Sequence, residues 1–244
     1  MQANSNPVPE YLADAASRPH WERIGVRRRV GVCVPLASLR SRRGCGVGDA
    51  ADLIALVDWC RSVGLSVIQI LPINDMGLDC VPYAAISAFA IDPLYLALDR
   101  VPCVADDPEL AVRLRAESDR LNALDRSDIR AARDAKLAIL ADALARPAGR
   151  ALDADLADFR RRNPWLEDYL PFRVIKEAES FRSWEDWGPR YADPQVLAAF
   201  LADHDDRVRL HLAAQMLLDR QLQEARAYSS ANGVLLKGDI PILV

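Results

Sequence analysis

The sequence has no run approaching the ~18 consecutive apolar residues of a membrane-spanning helix. Its first stretch, Met1 to Trp21, also has no apolar core of the signal-peptide kind. These absences predict a soluble, cytoplasmic chain with no membrane partner. No Cys-x-x-Cys pair occurs. The five cysteines (Cys33, Cys45, Cys60, Cys80 and Cys103) are odd in number and scattered, which argues against a disulfide framework and a metal site and fits a reducing compartment. Basic excess is lacking as well. Net charge is −4, and the single basic run, Arg27-Arg28-Arg29, reads as a solvated edge, so nucleic acid is not an expected partner. There is no internal repeat, and no cofactor is expected.

What is present is an ordinary globular composition, 51% hydrophobic and 27% charged over 244 residues, enough to bury a sizeable core. The run Val67-Ile68-Gln69-Ile70-Leu71-Pro72, opened by Gly64, predicts a strand buried on both faces, as in parallel sheets. The segment that follows, through Pro93, carries Asn74, Asp75, Tyr83, Ser87 and Asp92. A long loop at the carboxyl end of a buried parallel strand is where α/β proteins place ligands.

Gly31 to Leu36 predicts an earlier strand. The glycine-punctuated loop Gly44-Cys45-Gly46-Val47-Gly48-Asp49 follows it, with Asp49 expected to cap a helix from Ala50 to Ser62 whose stripe is Leu53, Leu56, Val57 and Cys60. Strand, helix and strand within ~40 residues make a βαβ unit. From Asp99 to Ser230 the texture is helical. Asn163-Pro164 is expected to start one helix, Ser183 and Asp186 to form a capping box, and Leu210 to Ala225 to mark a long helix closed by Asn232-Gly233. Strand texture returns from Gly233 to Val244. Three parallel strands need more cover than this chain offers, so the expectation is the first part of a longer protein.

The motifs, in order, resemble the 4-α-glucanotransferases (amylomaltases, or disproportionating enzymes) of glycoside hydrolase family 77. They are Ser38-Leu39-Arg40-Ser41, Gly46-Val47-Gly48-Asp49, Gln69-Ile70-Leu71-Pro72, Pro82-Tyr83, Ser87-Ala88-Phe89-Ala90-Ile91-Asp92-Pro93, Trp165-Leu166-Glu167-Asp168-Tyr169 and Gly238-Asp239-Ile240-Pro241-Ile242. The resemblance implies an α/β fold, the N-terminal portion of a TIM (β/α)8 barrel with a large α-helical insertion between strands 2 and 3. It divides the chain into a lead-in arm (1–30), the first βαβ unit with its active-face loop (31–98), the insertion (99–230) and the third strand (231–244). It implies transfer of α-1,4-glucan segments between maltooligosaccharides by a retaining double displacement. The carboxylates that react in that family would lie beyond this chain. Arg126-Ser127-Asp128 and His204-Asp205 imitate their motifs but fall in the helical region, where they read as helix-end charges.

The same resemblance makes Tyr83 a sugar-stacking residue and Asp239 a carboxylate that bonds sugar hydroxyls; Asn74, Asp75 and Asp92 are further candidates by their place in the loop, where plain turn chemistry is the alternative. Val81 stands where the family usually has serine, and Ala84-Ala85 where it has a Gln-Ser type pair. Trp165, Trp184 and Trp187 read as core, and His20 and His211 as packing or solvent-facing. Two alternatives stand beside the enzyme reading. One is a non-catalytic α-glucan-binding protein. The other is a nucleotide- or phosphate-binding α/β domain using Gly44, Gly46 and Gly48 beside Arg40, Arg42 and Arg43, although Asp49 occupies the third glycine position of the dinucleotide fingerprint.

Overall fold

A computed structural model describes residues 7–243. The elements in chain order are α1 (Arg18–Ile24), β1 (Gly31–Val34), α2 (Asp52–Ser62), β2 (Val67–Ile70), α3 (Pro102–Ala105), α4 (Pro108–Asn122), α5 (Ile129–Ala145), α6 (Pro147–Arg150), α7 (Asp153–Arg162), α8 (Leu166–Ala178), α9 (Pro194–Asp203), α10 (Asp205–Ala231) and β3 (Leu235–Lys237). The molecule is an α/β structure, mostly helical, around one small parallel sheet of order β1-β2-β3. Val32, Ile68 and Leu236 lie side by side in register. The expected lead-in arm contains a short helix, α1, and the last residue of the expected third strand, Val244, lies outside the described residues.

The expectation of strands buried on both faces is corrected. In β2 burial alternates, with Ile68 and Ile70 buried and Val67 and Gln69 only half-buried. Strand side chains alternate between faces, so this pattern means that α2 and α10 cover one face and no described element seals the other. The buried face continues into a helical core that includes Leu94, Leu110, Leu121, Ile139, Leu140, Leu166 and Leu218.

The glycine loop after β1 is shaped by packing. Asp49 accepts from the Ala51 N–H (3.1 Å), and Asp52 accepts from the Asp49 N–H (2.9 Å), a reciprocal cap that starts α2 at Asp52, two residues later than expected. Arg43 holds both carboxylates, at 2.6 and 3.0 Å, and Asp99 at 2.6 Å. Gly46 sits at φ +70° against the backbone of Leu121, while Arg40 and Asn122 stitch the loop to the end of α4. A guanidinium committed to three carboxylates and a loop pressed on a helix leave no cradle for an anion, which disfavours the phosphate-binding alternative at this loop. A Cβ on Gly48 would sit 2.2 Å from the Leu36 carbonyl oxygen. Gly48→Ala is therefore expected to destabilise the chain by about 2–3 kcal/mol in a denaturant titration. A change below about 0.5 kcal/mol, the scale of a neutral surface substitution, would contradict this packing.

Two further local expectations differ from the structure. Asn163 ends α7 rather than starting α8. Its side chain bonds back to the Phe159 carbonyl at 2.8 Å, its own carbonyl accepts from Leu166 N–H, and α8 begins at Leu166. Ser183 and Asp186 form only one 3-10 turn, with no side-chain cap bond. The long helix ends as expected, at Asn232 and Gly233, the latter at φ +70°. Its inner face clips the extended chain beyond the β2 loop. Gln215 both accepts from and donates to the Ile91 backbone (2.9 and 2.7 Å), and Gln221 does the same to Ala97 (2.9 Å each). Each amide stands in for a neighbouring strand, satisfying backbone groups that burial would otherwise orphan.

Candidate functional site

The chain leaves β2 at its carboxyl end and the segment after β3 leaves at the same end, because the strands are parallel. The two run together. Leu243 N–H donates to Tyr83 O (3.0 Å), Ala85 N–H donates to Leu243 O (2.9 Å), and Ala84 and Leu243 form a parallel bridge. This lacing brings together two expected site residues 156 positions apart. The Tyr83 hydroxyl donates to Asp239 Oδ2 at 2.8 Å, and Asp239 Oδ1 accepts from the Ile240 N–H at 2.9 Å. The tyrosine hydrogen bond holds the Asp239 carboxyl below its usual range, and the same bond raises the phenol. Both residues are half-buried.

Asn74 and Asp75, adjacent in sequence, part company. Asn74 is half-buried and spends its amide on the Ala88 carbonyl (2.9 Å), beside an antiparallel bridge to Ile91. Asp75 is fully buried, which corrects its expected place on the ligand surface. Its Oδ1 accepts from Gly77 N–H (2.9 Å), and its Oδ2 accepts from the Tyr169 hydroxyl (2.7 Å) and faces Arg173 Nε at 3.0 Å. Asp92 is likewise buried. It accepts from Leu94 and Met76 N–H and grips Arg133 at 2.9 and 2.8 Å, while Arg133 also donates to Gly77 O. Burial and the neighbouring Asp75 push the Asp92 carboxyl up, against the pull of Arg133. The two aspartates thus pin the root of the Tyr83 loop onto α5 and α8.

The network continues along α8. Glu177 receives Arg207 (2.6 Å), His211 Nε2 (3.0 Å) and Arg173 (3.3 Å). Burial opposes its ionisation, but the bond from His211 and the two guanidinium groups outweigh that and hold it at about 2. His211 is fully buried; burial lowers its pKa, with the Glu177 bond acting in the opposite sense. These partners were not read from the sequence. The signal was the spacing Tyr169, Arg173, Glu177, an i, i+4, i+8 polar stripe on the same helix as the buried Leu166, Leu170, Val174 and Ile175. The folded state disfavours a proton on His211 that the unfolded chain accepts near pH 6.5. Stability therefore falls as pH drops from about 7 towards 5. His211→Gln is expected to flatten the unfolding midpoint across that window, and an unchanged slope would contradict the burial argument.

The look-alike residues serve as helix ends. Asp128 caps α5 by accepting from Ala131 N–H (2.9 Å), and His204-Asp205 starts α10. Trp165 is half-buried, stacked near-parallel on exposed Phe89 at 6.1 Å. Trp187 packs on Phe172, and Trp184 is exposed rather than core. Among the described residues no helix is long and apolar enough to cross a membrane, and no group of three or more metal-ligating side chains is assembled.

Tyr83 and Asp239 thus meet beyond the carboxyl ends of two adjacent parallel strands. The family model described as 4-alpha-glucanotransferase, glycoside hydrolase 77, matches residues 34–244, and the chain belongs to that family. Among curated relatives it is 33% identical over 236 residues to the 4-alpha-glucanotransferase of Chlamydia caviae, covering 96% of this chain and 44% of that protein. It is 32% identical to the Synechocystis 4-alpha-glucanotransferase, covering 89% and 43%. The amylomaltase from Streptococcus agalactiae, solved in complex with acarbose, shares the fold with a TM-score of 0.74 at 21% identity, over 88% of this chain and 44% of that one. The chain thus spans less than half the length of these relatives.

Proposed function

We propose that this chain forms the first three strands of a 4-α-glucanotransferase (β/α)8 barrel and presents Tyr83 and Asp239 to an α-1,4-glucan. On this reading residues 31–98 are the first βαβ unit with its active-face loop, 99–230 are a helical insertion between strands 2 and 3, and 231–244 carry strand 3, with 1–30 leading in. The observation that carries it is the 2.8 Å bond between Tyr83 and Asp239 at the carboxyl ends of β2 and β3, inside the family-matched residues. The acarbose complex of the similarly folded amylomaltase supports a glucan-like ligand. The tyrosine ring packs on pyranose C–H groups, and the ionised carboxylate accepts sugar hydroxyls. Asn74 contributes by fixing the loop, as does Asp75 from beneath it.

The reacting carboxylates of a retaining transfer are supplied from outside these residues, since the two look-alike aspartates serve as helix ends. This chain alone therefore binds glucan without transferring it. Calorimetry with maltotriose and ATP tests the binding. The expected result is saturable heat with maltotriose, and ATP binding without maltotriose binding would refute the reading. A maltotriose disproportionation assay on the same chain is expected to release no glucose.

A further inference from the structure

We propose that the cavity bounded by the root of the Tyr83 loop and helices α5, α8 and α10 is a binding site for a phosphoryl group, carried on a small molecule or free. The inference is independent of the glucan reading, because the cavity lies behind the loop and takes no residue from the Tyr83–Asp239 pair. It measures about 280 Å³ and is walled by Gly77, Arg130, Arg173, Glu177, Phe181 and Arg207. That is many times the ~30 Å³ share of one water and near the lower bound for small-ligand sites.

The first observation is a buried guanidinium with unpartnered donors. Arg173 is 1% exposed. Its Nε lies 3.0 Å from Asp75 and its Nη2 3.3 Å from Glu177 as ion pairs, but neither Nε nor Nη1 has a hydrogen-bond partner. A buried guanidinium donor left unpaired is costly, and an oxyanion is the group that answers it with charge and geometry together.

A second observation is the donor supply around it. Arg130 uses only Nε, on the Leu78 carbonyl, and Arg207 uses only Nε and Nη2, both on Glu177. Their remaining donors have no protein acceptor among the described residues. The acceptors nearby are already engaged. Both Glu177 oxygens are bonded, and Arg133 is bonded through all three nitrogens. Asp134 is the one carboxylate of the wall outside any ion pair among the described residues, and it limits the charge the site tolerates.

The third observation is strain. Ser180 and Phe181 both lie in the left-handed region, at φ 52° and 60°, uncommon for residues with a side chain. That turn sets the Phe181 ring over Arg173 at 5.0 Å from the guanidinium carbon and against Gly77. Strain of this kind clusters at ligand clamps. The ring caps the guanidinium plane and leaves its edge for a ligand.

The test is calorimetry on the whole chain at fixed ionic strength, with inorganic phosphate, glucose 6-phosphate and glucose as probes. Saturable binding of either phosphate and none of glucose is expected. Tighter binding of the ester assigns the site to a sugar-sized phosphate, and equal binding assigns it to free phosphate. Arg130→Gln and Arg207→Gln should each weaken binding about tenfold, the scale of one charge-assisted hydrogen bond. Asp134→Asn should strengthen it. Circular dichroism establishes that each variant is folded. Absence of saturation with both phosphates, or affinity unchanged in both folded arginine variants, would overturn the proposal.

Discussion

Asp75→Ala is expected to lower stability by about 3–5 kcal/mol, because it leaves Arg173 buried beside an empty site. The carboxylate it removes is fully buried and bound to Gly77 N–H, the Tyr169 hydroxyl and Arg173. A loss of that size is a large fraction of a domain's typical ~5–15 kcal/mol. Removing both charges is a different matter. Asp75→Leu with Arg173→Met replaces the pair by apolar groups of similar volume, and such replacements are often neutral. The double variant should be far more stable than Asp75→Leu alone, so a double-mutant cycle in urea built from Asp75→Leu, Arg173→Met and the two together separates the cost of an orphaned charge from the worth of the pair. Asp75→Ala losing less than about 1 kcal/mol would contradict the geometry around Gly77.

Tyr83→Ala is expected to weaken maltotriose binding about thirtyfold, roughly 2 kcal/mol, by removing the ring face together with the hydroxyl that orients Asp239. Tyr83→Phe keeps the ring and should lose less. Asp239→Asn keeps an acceptor for the tyrosine but discharges the group, and about tenfold is expected. The Tyr83 bond holds the Asp239 carboxyl below its usual range, so it stays ionised through neutral and mildly acid pH. Maltotriose affinity should therefore be flat from pH 8 down to about 5 and fall only in stronger acid. A midpoint for binding near pH 7 would assign the contact to another group.

The sheet was legible because its signal is local. The apolar runs at Gly31 and Val67 and the strand texture before Lys237 are each readable within six residues, and a helix between the first two dictates parallel pairing. Tyr83 and Asp239 are each singled out as candidates by their own motifs, and the laced segments beyond the parallel strands bring them within a hydrogen bond. Asn74 and Asp75 were indistinguishable in sequence, two polar residues after a proline-ended strand. What separates them is Arg173 and Tyr169 on a helix some hundred residues away, and no local pattern carries that. The open face of β2 was hidden for a related reason. Val67 and Gln69 have the composition of a doubly covered strand, but composition does not say which elements arrive to cover it.

On the proposed function, the laced segments after β2 and β3 form one glucan-binding face. Amide chemical-shift mapping of the whole chain during a maltotriose titration tests it most directly. Saturable shifts concentrated at residues 81–87 and 238–243, lost together in Tyr83→Ala, are expected. Shifts confined to the helical residues 99–230, or no saturable shifts at all, would contradict it.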